Sequence, residues 1–141
     1  MSSWTWSTNV AEVDFTGLGA YNELLFIARG VTASVSGVRV LYASTDNGST
    51  FYTTSGNYVN LDNTGVEANT TGFGHSTSST AARSLHVHIR NTKGAVKSAY
   101  VQNTVSATSL FIASTSDIDA IRFSNTGGGN LTAGSAYLFG R

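Results

Sequence analysis

Two pairs of side chains in this sequence have the types and the spacing for chemistry at a common point. The first pair is His86 and His88, which alternate with apolar residues in RSLHVHIR and so project from one face of a predicted strand. Two such histidines can bind a metal ion, but zinc usually takes a third protein ligand. His75 is the only other histidine, and it lies in a polar stretch. The sequence therefore favours a solvated polar face or a subunit interface, and predicts no metal, with His86 and His88 as the only candidates.

Asp117 and Asp119 form the second pair, in SDIDAIRF. Two carboxylates about 5 to 9.5 Å apart can act on a glycosidic bond. No cleft is predicted around these two, and the sequence contains neither a G-x-S-x-G elbow nor a phosphate-binding G-x-x-x-x-G-K-[ST] loop. We therefore predict loop-edge carboxylates, no catalytic residue, no cofactor and no enzymatic activity.

The stretch STDNGSTF, residues 44 to 51, fits the pattern S-x-D-x-G-x-T-[WF]. This pattern resembles the Asp-box, a short motif found repeatedly in sialidases. Sialidases resemble one another in a propeller of several hundred residues, and their Asp-boxes lie on blade turns away from the active site. A chain of 141 residues with one such motif lacks room for that propeller. The resemblance therefore implies a turn and not a catalytic site.

Each residue of this motif has a local folding role. The central Asp-Asn-Gly suits a tight hairpin, because Asn and Gly tolerate positive φ. The carboxylate of Asp46 can accept backbone N–H groups, Ser44 and Thr50 can close the turn, and Phe51 can enter the core. A strand over residues 49 to 54 is expected to follow. The sequence thus predicts a structural hairpin built from Ser44, Asp46, Gly48, Thr50 and Phe51.

Composition excludes several classes of function. Charged residues make up 11% of the chain, against about 25% in an average soluble domain, and the net charge is zero. A nucleic-acid backbone binder or a polybasic membrane anchor needs clustered positive charge, so neither is expected. Cysteine is absent, which excludes disulfides and thiol chemistry. The start of the sequence shows no signal peptide and no apolar run approaches about 18 residues, so we expect synthesis in the cytoplasm and no membrane insertion.

Alternation of apolar with polar residues predicts strands along most of the chain. We predict an all-β fold, an antiparallel and jelly-roll-like β-sandwich of about eight to ten strands. Residues 1–141 are expected to form a single domain, with a long polar loop over residues 64–82. Aromatic residues in such a domain can stack on sugar rings or pack against protein, and the candidates for glycan contact are Trp4, Trp6 and Tyr58.

Two stretches look like a module that recurs in tailed-bacteriophage and prophage virion proteins. One is residues 15–59, and the other is IDAIRFSNTGGGNLTAGSAYLFGR, residues 118–141. The second resembles the closing segment of phage fibre-like proteins in its Ile-x-x-Ile-x-Phe strand, Gly/Asn turn, AGS segment and final LFG. The resemblance implies a virion β-sandwich in a tail fibre, head spike or capsid decoration, made in the host cytoplasm. It also implies a homotrimer that contacts other virion proteins and a host-surface glycan.

Overall fold

The computed structural model describes residues 2–5, 9–62, 65–74, 78–102 and 106–141, and for residues 2–4, 62 and 66–70 it describes the backbone alone. The described residues form strands and turns and contain no helix, so none of them builds a helix that could cross a membrane. The strands are β1 (Ser2–Thr5), β2 (Glu12–Phe15), β3 (Leu24–Ala33), β4 (Arg39–Ser44), β5 (Tyr58–Asp62), β6 (Gly65–Thr70), β7 (Arg83–Arg90), β8 (Lys97–Gln102), β9 (Ser106–Phe111), β10 (Ala120–Asn125) and β11 (Leu131–Gly140).

The strands form two antiparallel sheets. An eight-stranded sheet has the order β1-β11-β3-β7-β8-β9-β5-β6, and a three-stranded sheet has the order β2-β10-β4. The chain passes from one sheet to the other between β1 and β2, β2 and β3, β3 and β4, β4 and β5, β9 and β10, and β10 and β11. The predicted β-sandwich is confirmed, and its described part contains eleven strands and not eight to ten.

The core lies between the sheets because the strands alternate. In β7, Leu85, Val87 and Ile89 are fully buried, and the residues between them point outward. Phe26 of β3 contacts Phe123 of β10 across the core, with ring centroids 5.0 Å apart. This contact joins the two sheets through the core. The residues of the eight-stranded sheet that point away from the core form its outer surface.

The predicted loop over residues 64–82 is wrong in its first half, which contains β6. The segment after β6 then approaches β4, where the backbones of Phe73 and Leu41 exchange hydrogen bonds of 3.0 and 2.8 Å. Gly72 permits this approach, because a Cβ there would lie 2.7 Å from the Leu41 carbonyl oxygen. The sequence of β6, GVEANT, is short, has only Val66 and Ala68 as apolar residues and lies in a polar stretch, and so the sequence does not predict the strand.

The predicted strand over residues 49–54 is also wrong. Beyond the turn, the amide of Tyr52 donates to the Ala43 carbonyl at 2.9 Å, and no strand forms before β5. The edge of β4 that a returning strand would need is already occupied by Phe73. The motif is therefore a turn at the end of β4 and not the tip of a two-stranded hairpin.

Arg39, at the start of β4, is buried and holds the segment that precedes β7. Its guanidinium donates to the carbonyls of Gly37 and Ser79 at 2.9 and 2.6 Å. Longer bonds reach the carbonyls of Val31, Thr80 and Ala81. Burial lowers the pKa of Arg39, with a further contribution from the nearby charge of Arg83. This arginine therefore anchors backbone, and its terminal nitrogens are occupied.

Candidate functional site

The turn after β4 is closed by hydrogen bonds to the side chains of Ser44 and Asp46. The Ser44 hydroxyl donates to Asp46 Oδ1 at 2.7 Å and accepts the Gly48 amide at 2.9 Å. Asp46 Oδ1 also accepts the Thr50 amide at 2.9 Å, and Oδ2 accepts the Thr50 hydroxyl at 2.6 Å. Both carboxylate oxygens are therefore engaged within the turn, as a local clasp requires.

These hydrogen bonds also explain the acidity of Asp46. The bond from the Thr50 hydroxyl, followed by those from the Thr50 amide and the Ser44 hydroxyl, lowers the pKa of Asp46 to about 2. Asn47 and Gly48 have φ values of 56° and 86°, the left-handed region that such a turn needs. A carboxylate that stays ionised and fully bonded stabilises its turn and is poorly suited to donate a proton to a substrate.

Hydrogen bonds also link the turn to neighbouring segments, and one of them involves Asp119 of the Asp117 and Asp119 pair. Asp119 Oδ1 accepts the Asn47 amide at 2.8 Å, and the Asn47 side chain accepts the Gly17 amide at 2.8 Å. Asp117 and Asp119 lie in the segment before β10 and not on a strand. Asp119 thus supports the turn.

Phe51 does not enter the core, so that prediction is wrong. Its half-buried ring lies outside the three-stranded sheet, 4.1 Å from the Arg122 guanidinium carbon. Arg122 in turn forms two 2.7 Å bonds to Asp14 and an ion pair of 2.9 Å with Glu12. The ring stacks on a fully paired cation, which is a favourable cation–π geometry.

Tyr58 is wrong as a glycan contact, because its side chain is 0% exposed. Its ring packs against Phe73 and Phe111, and its hydroxyl accepts the Ala43 amide at 2.8 Å while donating to the Tyr52 carbonyl at 3.0 Å. Tyr58 therefore ties β5 of one sheet to β4 of the other. Burial raises its pKa well above the ordinary tyrosine value.

The tryptophan candidates fall largely outside what the structure describes. Trp6 is among the residues without a description, and Trp4 is placed only by its backbone, opposite Ala136 in the pairing of β1 with β11. Their predicted glycan contact remains a prediction. His75 likewise lies outside the described residues.

His86 and His88 lie on the outward face of β7, as the alternation predicted. His88 Nε2 lies 3.4 Å from Glu23 Oε2, and the same oxygen accepts a 2.9 Å bond from Arg141. Within the described ranges, no three His, Cys, Asp or Glu side chains are grouped closely enough to hold a metal ion. The two histidines instead form, with Ser84 and Arg90, a polar row along the outward face of β7.

The outer surface of the eight-stranded sheet brings a cation and aromatic rings together. Arg29 and Ile27 of β3 and Tyr137 and Phe139 of β11 line a shallow cleft of about 200 Å³. Ile27 lies opposite Tyr137 on one side and opposite His86 on the other. These residues are called the β3–β11 face: Ile27, Arg29, His86, Tyr137 and Phe139.

The charge on this face is one-sided. The strands β3, β7, β8, β9 and β11 contain no Asp or Glu. Among the residues that the structure describes, no carboxylate forms an ion pair with the exposed Arg29. Its donors are therefore available to a ligand, unlike those of Arg39 and Arg122. Glu23, at the margin of the sheet, is already bonded to Arg141 and His88.

Sequence reasoning missed the β3–β11 face apart from His86. The segment that contains Ile27 and Arg29 was interpreted as a central strand with apolar residues on both faces, and the final strand only as part of a module. The pairing of Ile27 with Tyr137 joins residues far apart in the chain. No signal in a single sequence gives that pairing.

Comparison with known proteins identifies a fold and no family. No family model matches the chain, and no curated protein matches it. The galectin LEC-6 of Caenorhabditis elegans is similar in structure, with a TM-score of 0.51 and 12% identity over 97% of this chain and 95% of that chain. Scytalido-glutamic peptidase gives a TM-score of 0.38 and 12% identity over 94% and 75% of the two chains. At such identity, the similarity to the galectin shows the β-sandwich fold alone.

Proposed function

We propose that this chain is a non-enzymatic structural component of a phage virion, part of an exposed oligomeric appendage that binds a host-surface glycan. The observation that carries the glycan-binding part is the β3–β11 face, where Arg29, which has no carboxylate partner among the described residues, lines the same cleft as the rings of Tyr137 and Phe139. The virion part rests on the sequence resemblance of residues 15–59 and 118–141.

The chemistry of the β3–β11 face suits a saccharide. The apolar side of a sugar ring can stack on aromatic side chains, and Arg29 offers several N–H donors to its oxygens. Phe139 is 38% exposed, which leaves much of its ring available for contact. A cleft of about 200 Å³ is smaller than the ~300–1,000 Å³ of typical small-molecule pockets, which fits a ring lying on the surface and not an enclosed substrate.

The proposal of a non-enzymatic protein is supported by the hydrogen bonds of Asp46 and Asp119. Both oxygens of Asp46 are bonded within the turn, and Asp119 holds the Asn47 amide. A general acid must instead face a substrate with a proton to give. Substitution of Asp119 is therefore expected to weaken the turn and not to remove a catalytic rate.

The proposed assembly is a homotrimer. Val96 and Ile112 are 68% and 57% exposed, and they flank the paired residues Lys97 and Phe111 at one end of β8 and β9. A pair of apolar side chains so exposed favours contact with another subunit or virion protein. Light scattering on the purified 14.8 kDa chain should give three times the monomer mass, and a Val96→Ser, Ile112→Ser double variant should shift it to the monomer. A strictly monomeric parent protein would contradict the trimer.

A carbohydrate-binding module unconnected with a virion is the second candidate, favoured by the same face. Antibody labelling of phage particles purified from the source strain separates the two functions. Labelling of an appendage supports the virion role. Protein found in the lysate but absent from the particles contradicts that role, and glycan binding by the purified protein would then support the module.

A further inference from the structure

We infer that the ligand of the β3–β11 face is an anionic saccharide, with its carboxylate or sulfate on Arg29 and its ring against Tyr137 and Phe139. This inference rests on the proposed glycan binding and adds the chemical class of the glycan. It concerns Arg29, Tyr137 and Phe139, none of which the sequence predicts as a binding residue.

The register of the sheet places the cation at a suitable offset from the aromatic rings. Arg29 lies opposite Ser135, and Ile27 lies opposite Tyr137, so Arg29 and Tyr137 are diagonal neighbours on the outer surface. Diagonal neighbours in a sheet are about 7–8 Å apart, which long and aromatic side chains can span. The acidic group of a sugar projects from the ring edge, so one ligand can contact both side chains.

The charges around Arg29 favour a ligand with a negative charge. Asp14 and Glu12 pair with Arg122, and backbone carbonyls surround Arg39. Arg29 is exposed on a surface whose strands β3, β7, β8, β9 and β11 contribute no carboxylate. Although the chain as a whole has no net charge, this part of its surface therefore favours an anion.

His86 adds a second polar group beside the cleft. It lies opposite Ile27 on β7, on the side of Ile27 away from Tyr137. An imidazole at this position can donate a hydrogen bond to a sugar oxygen whether it is neutral or protonated. The cation and the donor thus flank Ile27, which provides an apolar floor between them.

A free inorganic anion as the ligand would not explain the aromatic lining of the cleft. A free phosphate or sulfate needs several converging donors and gains nothing from aromatic rings. The lining of the cleft is half aromatic, with Tyr137 diagonal to Arg29 and Phe139 further along β11. The combination fits a ligand with both a ring and a negative charge.

The experiment measures the affinity of the purified protein for sialyllactose, sulfated lactose and lactose by isothermal titration calorimetry. We expect one or both anionic sugars to bind at least tenfold more tightly than lactose, because hydrogen bonds to charged groups are stronger than those between neutral groups. A preference for sialyllactose or for sulfated lactose identifies which acidic group the face selects.

Variants then locate the site. Arg29→Gln should weaken binding of the preferred anionic sugar about tenfold or more and leave lactose binding unchanged. Arg29→Lys should recover part of the loss, since it retains charge but not the planar donor set. Arg90→Gln is the matched control, because it removes an exposed arginine from the far end of the same outer surface and should leave binding unchanged.

The outcomes separate the two proposals. Equal affinity for lactose and both anionic sugars overturns the inference and leaves glycan binding intact. Loss of affinity in Arg90→Gln equal to that in Arg29→Gln overturns the assignment to the β3–β11 face. Absence of binding to all three sugars, and to a broad glycan array, overturns the proposed glycan binding itself.

Discussion

The turn after β4 and the β3–β11 face both carry residues that could do chemistry, but they differ in how their polar groups are used. In the turn, Asp46 accepts bonds from Ser44 and from both the amide and the hydroxyl of Thr50. On the face, Arg29 has no carboxylate partner among the described residues. A group satisfied inside its own chain contributes to stability, and an unsatisfied one beside aromatic rings is available for binding.

The comparison explains why a recognisable motif is not the site. In this chain, the polar side chains of the pattern S-x-D-x-G-x-T-[WF] have partners within a few residues. The β3–β11 face has no such pattern, since its residues come from β3, β7 and β11 and meet only through strand pairing. Local motifs therefore report local structure, whereas this site depends on topology.

The largest expected effect on stability is that of Asp46→Ala. The substitution leaves the Thr50 amide, the Thr50 hydroxyl and the Ser44 hydroxyl without their acceptor, so the melting temperature should fall markedly. Glycan binding should persist at temperatures where the variant is folded. Differential scanning calorimetry measures the first and titration the second. Asp117→Ala, an exposed aspartate outside the turn, should change the melting temperature little.

Ser44→Ala should produce a smaller loss, because Asp46 keeps its bonds to Thr50. The buried hydroxyl of Ser44 accepts the Gly48 amide at 2.9 Å, and leaving such a donor unpaired costs about 1–3 kcal/mol. Urea unfolding of the variant at neutral pH measures the change. An unaltered midpoint would show that water replaces the hydroxyl and that the turn is less closed than the hydrogen bonds indicate.

Acid should remove part of the contribution of Asp46. Its pKa in the folded protein is about 2, below the ordinary value of 3.8, so its stabilising effect is complete above the ordinary pKa and declines as the pH falls towards 2. The difference in melting temperature between the parent and Asp46→Ala should therefore shrink between pH ~4 and ~2. A difference that stays constant over this range would contradict the ionised clasp.

The smallest effect on stability is expected for Arg29→Gln. Exposed substitutions away from anchoring interactions usually change stability by less than about 0.5 kcal/mol. Thermal unfolding of this variant should therefore match that of the parent within error. A large destabilisation would mean that Arg29 has a structural partner, and it would remove the contrast between the two regions.

Much of the fold could be predicted, because alternation is a local property of strands. RSLHVHIR placed Leu85, Val87 and Ile89 inward and the histidines outward, and the structure agrees. The strand β6 escapes prediction because GVEANT is short and has only two apolar residues within a polar stretch, and Phe51 is misplaced because the sequence does not show that Arg122 lies across from it. The sequence predicts glycan contact for Tyr58, but its hydroxyl bonds to the backbone of Ala43 and Tyr52 inside the domain.

Most of the candidate site could not be predicted from the sequence, and the reason is physical. Strand order and register decide which outward residues are neighbours, and they depend on packing across the whole domain. Arg29 and Tyr137 become neighbours only through the pairing of β3 with β11. A single sequence shows that each belongs to a strand but does not show that they share a surface.

The most direct test of the account compares Asp46→Ala and Arg29→Gln in the same two measurements, the melting temperature and the affinity for an anionic saccharide such as sialyllactose. We predict that Asp46→Ala lowers the melting temperature and keeps the affinity, and that Arg29→Gln keeps the melting temperature and lowers the affinity about tenfold or more. If Asp46→Ala had normal stability but lost its affinity, the motif would be part of the binding site. Unchanged affinity in Arg29→Gln would contradict the assignment of the β3–β11 face.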